Sequence, residues 1–319
     1  MTNPDVPHQN TTNKEPIRVA VLDLGTNTFH LLIADIKGGS EPNIVYQETI
    51  AVKLGEGGLS EGTISPGAFI RGIDALKIFK GHIDHFRAGL VKSAATSAIR
   101  GAANGNEFIE KIKEETGLFI QVIDGEREAE LIYKGVRAAV RMDEISLIVD
   151  IGGGSVEFII CDKNRIYWKK SYPIGAARLQ KQFHYDDPIS ESAKRTLYSY
   201  LDNKLEDLQH QLEKYKPRLM IGSAGAFETF AALQDAQFKV SFHRPEQKIN
   251  LEAFSRIAEK LIKSTHLERS KMQAIPPVRV DMIVVSTILT NYIISKSGIE
   301  SMVLSVYSLK EGILFETGI

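Results

Sequence analysis

Two aspartates 127 residues apart sit in closely matching surroundings. Residues 21–35 read VLDLGTNTFHLLIAD and residues 148–162 read IVDIGGGSVEFIICD, so Asp23 falls on Asp150, Gly25 on Gly152 and Thr28 on Ser155. Each copy is an apolar run, a tight turn of Gly, Thr and Ser, and a second apolar run. The chemistry such a turn can do is anion binding. Glycine lets the backbone come close and present amide N–H groups to phosphate oxygens. Gly25, Thr26, Asn27 and Thr28 in the first turn, and Gly152, Gly153, Gly154 and Ser155 in the second, supply amides, hydroxyls and a side-chain amide. Asp23 and Asp150 are hard oxygen ligands, suited to a Mg²⁺ that bridges phosphate oxygens. A third turn, Gly222-Ser223-Ala224-Gly225, opens a predicted helix whose first amides favour negative charge. Any one glycine turn is ordinary hairpin chemistry. The duplicated pair, with an acid at the same offset, reads as functional; the third stays open between phosphate binding and scaffolding.

The elements that must position these turns repeat as well. After the first copy come a strand at 44–52 and a helix carrying Phe69, Ile73, Leu76, Phe79, Ile83 and Phe86 at spacings of three and four. A short strand near 90–94, a helix across 98–115, a strand at 119–123 and a helix from about 126 to 140 follow. After the second copy come a strand near 165–172, a helix carrying Leu197, Leu201, Leu205, Leu208 and Leu212, and a strand at 218–221 that runs into the third turn. A strand at 301–305 and a helix from about Leu309 close the unit, and helices at 251–263 and 281–294 read as inserted. One element order used twice predicts an α/β fold of two tandem ribonuclease-H-like domains facing an interdomain cleft. The expected boundaries are a disordered tail over 1–16, a first domain over 17–124, and a second over 125–319 with a helical insertion.

Composition narrows the field. A chain of 319 residues favours two lobes over one. Its 43% apolar and 25% charged residues are globular values, which exclude wholesale disorder. A net charge of −1 lacks the positive field of a nucleic-acid binder, but leaves room for a small polyanion held by local groups. No segment reaches the roughly 18 apolar residues of a membrane helix, and the polar N-terminus lacks a secretory core. The single cysteine, Cys161, reads as a buried apolar residue and suits a reducing compartment. A soluble, cytoplasmic chain is expected. His30, which aligns with Glu157 in the repeat, reads as structural.

The segments DLGTNTFHLL (23–32), ATSAIRGAAN (95–104), VIDGEREAELIYKGV (122–136), VDIGGGSVEF (149–158), IGAARL (174–179) and IGSAGAFET (221–229) together carry a resemblance. In that order they resemble the exopolyphosphatase/guanosine pentaphosphate phosphohydrolase (Ppx/GppA) family, from about residue 17 onward. That family lies within the actin, Hsp70 and sugar-kinase superfamily, so the resemblance implies an actin-like ATPase fold. It also implies hydrolysis of the terminal phosphate of inorganic polyphosphate, or of the 5′ γ-phosphate of pppGpp, with Mg²⁺ or another divalent cation, by a homodimer. By motif, Glu128 in Gly125-Glu126-Arg127-Glu128-Ala129 falls on the catalytic glutamate, with Arg127 replacing the first acid of the pair. Asp150 and Glu157 fall on the acids of the second loop and, with Asp23, become the metal candidates. Arg100 falls on an arginine expected near the phosphates. The residues alone favour a humbler use for Glu128, serving a free amide and the dipole in the first turn of a helix; only the resemblance reverses that order. The 268–281 segment departs from the family pattern and is given no role. The chain stops where longer members continue, and reads as a short, two-domain form. Two rivals remain at this stage: an acceptor-dependent kinase of the same superfamily, and a non-enzymatic actin- or chaperone-like nucleotide switch.

Overall fold

A computed structural model of the chain describes residues 15–38, 41–58, 61–235, 237 and 244–317. All but the last two residues of the expected 1–16 tail lie outside them. Strands β1 (Ile17–Leu24), β2 (Thr28–Ile36), β3 (Asn43–Ala51) and β4 (Leu90–Ala95) form one sheet in the order β3-β2-β1-β4. Strands β5 (Ser146–Ile151), β6 (Val156–Cys161), β7 (Ile166–Tyr172), β8 (Leu219–Ser223), β9 (Glu246–Ile249) and β10 (Ser301–Ser305) form the other, ordered β7-β6-β5-β8-β10-β9. In both sheets three antiparallel strands are joined by a fourth lying parallel to the first, which puts β1 and β5 inside. This is the ribonuclease-H-like arrangement, present twice. A strand covered on both faces reads as a continuous apolar run, and every residue of β5 is buried.

Helices α1 (Pro66–His85), α2 (Ser97–Arg100) and α3 (Gly105–Thr116) accompany the first sheet, and α4 (Gly125–Ala139), which follows them in the chain, packs on β6 and β7 of the second. With the second go α5 (Ala176–Phe183), α6 (Glu191–Lys204), α7 (Glu206–Tyr215), α8 (Gly225–Gln234), α9 (Leu251–Lys263), α10 (His266–Ser270) and α11 (Ile283–Lys296), while α12 (Leu309–Glu316) packs on β1 and β4 of the first. Among the described residues no helix is long and apolar enough to cross a membrane.

Three expectations need correction. The helix predicted across 98–115 is two helices. Asn104 clamps Ile64, accepting its N–H at 2.8 Å and donating to its carbonyl at 2.9 Å. Gly105 packs so tightly on the Ile99 carbonyl that a Cβ would lie 2.3 Å from that oxygen. The strand predicted at 119–123 is reduced to one parallel bridge, Ala95 to Val122. There the Ser93 side chain stands in for a backbone ladder, donating to the Phe119 carbonyl at 2.9 Å and accepting the Gln121 N–H at 3.0 Å. The leucine-spaced helix over 197–212 is also two helices, α6 and α7, meeting at Leu205. Helix α5 and edge strand β9 had no counterpart in the sequence reading.

Helices α4 and α12 lie between the sheets and join them. Val19, Val21 and Leu32 of the first sheet share a core with Ile148 and Ile159 of the second, through Ile132 and Val136 of α4 and Ile313 of α12. The two helices touch through glycine. A Cβ on Gly135 would lie 2.1 Å from the Ser308 carbonyl oxygen, and one on Gly312 would lie 1.8 Å from that of Leu131. Backbone atoms cannot give way as a flexible side chain can. Gly312→Ala should therefore destabilise the chain by about 1–3 kcal/mol, the usual range for an overpacked contact. Thermal unfolding checks this; an unchanged melting temperature would show that the helices separate freely.

Candidate active site

The duplicated turns are the same structure twice. Register pairs Asp23 with His30 across β1 and β2, and Asp150 with Glu157 across β5 and β6. Gly25 donates its N–H to the Thr28 carbonyl at 3.1 Å, and Gly152 donates to the Ser155 carbonyl at 3.1 Å. The two turns also meet. A Cβ on Gly153 would lie 2.3 Å from Asn27 Nδ2, and one on Gly154 would lie 2.6 Å from both Thr26 Oγ1 and Ser97 Oγ. Gly175, ahead of α5, packs on the same loop, so that its Cβ would fall 2.4 Å from the Gly153 carbonyl carbon. Backbone atoms exclude alanine at Gly175, while at Gly153 and Gly154 a methyl group would have to displace the Asn27, Thr26 or Ser97 side chain.

Beside the apposed turns opens a cavity of about 470 Å³. Asp23, Asp150, Glu128, Gly225 and all eight named residues of the twin turns line it. Arg100, Glu157, Gly222 and Ser223 stand one layer back. Arg100 reaches behind the wall, donating to Glu128 Oε2 at 3.0 Å and to the Ile123 carbonyl at 2.8 Å. Glu157 is fully buried and accepts from Ser171 Oγ at 2.6 Å. In the third turn Gly222 lies under the Phe227 ring, Ser223 Oγ donates to Asp150 Oδ2 at 2.5 Å, and Gly225 lies under the Arg279 guanidinium. That guanidinium donates to Glu228 Oε2 at 2.9 Å. Gly222 and Ser223 are thus spent on packing and on Asp150, while Ala224 and Gly225 border the cavity. Ala224, at φ +65°, holds backbone strain there.

Glu128 does not cap its helix. Asp124 is the cap, accepting the Arg127 N–H at 2.7 Å. That leaves the buried Glu128 carboxylate one turn inside α4, facing the cavity with Arg100 behind it. Among the lining residues given no role in the sequence reading are Thr96, Ser97, Arg279 and Lys310. The first two precede Arg100 in ATSAIR, at the start of α2. Thr96 makes no side-chain cap there.

Burial governs the acids. It pushes Asp23 up to about 7, against the pull of Lys310 and with repulsion from Glu128 and Asp150. It takes Asp150 to about 6 despite the Ser223 hydroxyl and Lys310. Glu128 rises to about 7, burial outweighing Arg100. Glu157 goes well above the carboxylate range, through burial and the charges of Glu128 and Asp150. His30, held between Thr28 Oγ1 and Thr49 Oγ1 at 2.9 Å each, is lowered to about 3 by burial, with Lys310 and Arg279 adding to it. It is a neutral imidazole. Among the described residues, no three His, Cys, Asp or Glu side chains form a ready-made metal cluster.

These shifts set how stability responds to pH. Between the ordinary values of 3.8–4.5 and the folded values of about 6–7, the acids bind more protons folded than unfolded. Stability therefore falls as pH rises through that window. His30 opposes this between about 3 and 6.5, one group against four. The metal-free chain should unfold at a higher temperature near about pH 5.5 than near about pH 8, and Asp150→Asn should flatten the slope. A melting temperature that rises over this interval would contradict the shared burial of these acids.

Comparison with known proteins agrees with this architecture. Residues 32–318 match the Ppx/GppA phosphatase family. The crystal structure of an exopolyphosphatase from Cytophaga hutchinsonii is 39% identical, with a TM-score of 0.90 over 94% of this chain and 97% of that one. The structure of the Aquifex aeolicus PPX-GPPA enzyme is 26% identical, with a TM-score of 0.80 over 94% and 99% of the two chains. Exopolyphosphatase 2 of Mycobacterium tuberculosis is 28% identical over 93% of this chain and 97% of its own. With its doubled sheet topology and apposed glycine turns, the chain belongs to the Ppx/GppA phosphatase family.

Proposed function

We propose that this chain hydrolyses the terminal phosphoanhydride of inorganic polyphosphate, with water as the acceptor. One observation carries the reading: both glycine turns and Glu128 line a single cavity. Its relatives bear the name exopolyphosphatase. Phosphoryl transfer depends mainly on positioning and on stabilising charge spread over the phosphoryl oxygens. The amides of residues 26–28 and 153–155 and the hydroxyls of Thr26, Thr28 and Ser155 would contribute to both. Glu128, with its pKa near neutrality, is suited to take a proton from the attacking water. Arg100 holds that carboxylate in place from behind.

A divalent cation fits the charges present. Glu128 pairs with Arg100, Glu228 with Arg279 and Glu311 with Lys310. Among the described residues that leaves Asp23 and Asp150 on the cavity wall without an ion-pair partner of their own. Mg²⁺ is commonly held by one or two carboxylates together with substrate phosphates, so the absence of a ready-made cage is no obstacle. Asp23 and Asp150 would hold it, backed by Glu157. Once bound, the ion would neutralise phosphate charge and orient the leaving group. The 5′ γ-phosphate of pppGpp is the same kind of end group, and the same turns would receive it.

Incubation with polyphosphate and Mg²⁺, with no organic acceptor present, should release orthophosphate. Glu128→Gln should slow release by about 10²–10⁴-fold, the usual contribution of a general base. A rate near that of the parent would remove Glu128 from this role. Release that depends strictly on an added acceptor would make the chain a kinase. Supplying pppGpp as a competitor in the same assay reports whether it shares the cavity.

A further inference from the structure

One cavity wall plays no part in this mechanism. It is the start of α12, where Ser308, Leu309 and Lys310 face the twin turns from the far end of the second unit. The Lys310 ammonium is felt by Asp23 on β1, Asp150 on β5 and Glu228 on α8, so one side chain from the last helix acts on acids of both sheets. Its close partner is Glu311 Oε1 at 3.1 Å. That contact lacks hydrogen-bond geometry, and Oε1 stays buried without a hydrogen bond. The other oxygen of Glu311 accepts the Ser308 N–H at 2.8 Å, closing a capping box. An ammonium carries three donors. Here they border a cavity.

Folding alone gives poor reasons for this lysine. It is the second residue of its helix, where the dipole disfavours a cation. Only 19% of its side chain is exposed, so a charge with a long stem has been taken largely out of water. A compact ammonium beside backbone nests is, by contrast, a familiar way to hold phosphate.

We propose that Lys310 is a substrate-binding cation, its ammonium taking oxygens of the terminal phosphate that the twin turns hold from the other side. This rests on the phosphate reading of the cavity. It makes the closing helix of the second unit part of the site.

Lys310→Met and Lys310→Arg in the full chain test the assignment, with tripolyphosphate and Mg²⁺ as the probe. Lys310→Met should lower kcat/KM by about 10–100-fold while its melting temperature stays close to the parent value, and Lys310→Arg should recover much of the loss. A folded Lys310→Met with kcat/KM within about twofold of the parent overturns the proposal. Should Lys310→Met not fold, the unaltered chain decides. Orthophosphate should slow acetylation of Lys310 by an activated ester, read by peptide mass spectrometry, and leave the exposed Lys263 unaffected. Equal labelling of Lys310 with and without phosphate overturns the proposal. This labelling needs no turnover. If no polyphosphate is hydrolysed, the activity assignment fails, while protection of Lys310 still reports on phosphate binding.

Discussion

The site depends on contact between the backbone of the second turn and side chains at and beside the first. Gly153 and Gly154 lie against Asn27, Thr26 and Ser97 with no space for a methyl group. Everything around them serves that closeness. Strands β1 and β5 carry Asp23 and Asp150 to the cavity from inside their sheets, each paired antiparallel on one side and parallel on the other. Helices α4 and α12, crossed through Gly135 and Gly312, hold the two sheets at a fixed spacing. A shared core of this kind leaves the turns less freedom than a flexible linker between lobes would.

Electrostatics then shape what the pocket can accept. Three cations are each engaged by one acid, and the remaining carboxylates are held partly protonated by burial and by one another. Such a pocket repels a bare polyanion. It welcomes a phosphate that arrives with a cation, or one met by donors that carry positive charge without titrating, as backbone amides do. The neutral His30 fits the same scheme, since its ring is fixed between two threonine hydroxyls and adds no charge.

Much of this was legible in the sequence because its determinants are local. The repeated Asp-x-Gly with a hydroxyl residue three positions after the glycine is one hairpin, and its geometry follows from strand register and glycine sterics alone. The order of elements gave both sheets except edge strand β9, since apolar periodicity marks strands and helices where no side chain substitutes for backbone. It failed at 119–123, where the hydroxyl of Ser93 replaces ladder bonds, and at 98–115, where the Asn104 clamp interrupts the helix. The cavity's remaining walls were not legible. Arg279 reaches Gly225 across 54 positions, and Lys310 comes near Asp23 from the opposite end of the chain. No local pattern announces either. The one hint at Lys310 was electrostatic: a cation near the start of a helix is badly placed for that helix. Glu128 shows the converse, since position suggested a cap and the neighbouring Asp124 had already taken that duty.

Helix α12 follows every other element of both units, yet it fills the seam between the sheets and forms a wall of the pocket. During synthesis the first hairpin therefore emerges long before its enclosure exists. Until the closing helix docks, Val19, Val21 and Leu32 have no complete cover, and the acidic cluster stays open to water, where its members ionise at ordinary values. A nascent chain would thus acquire its unusual proton affinities only after α12 has been made and has docked.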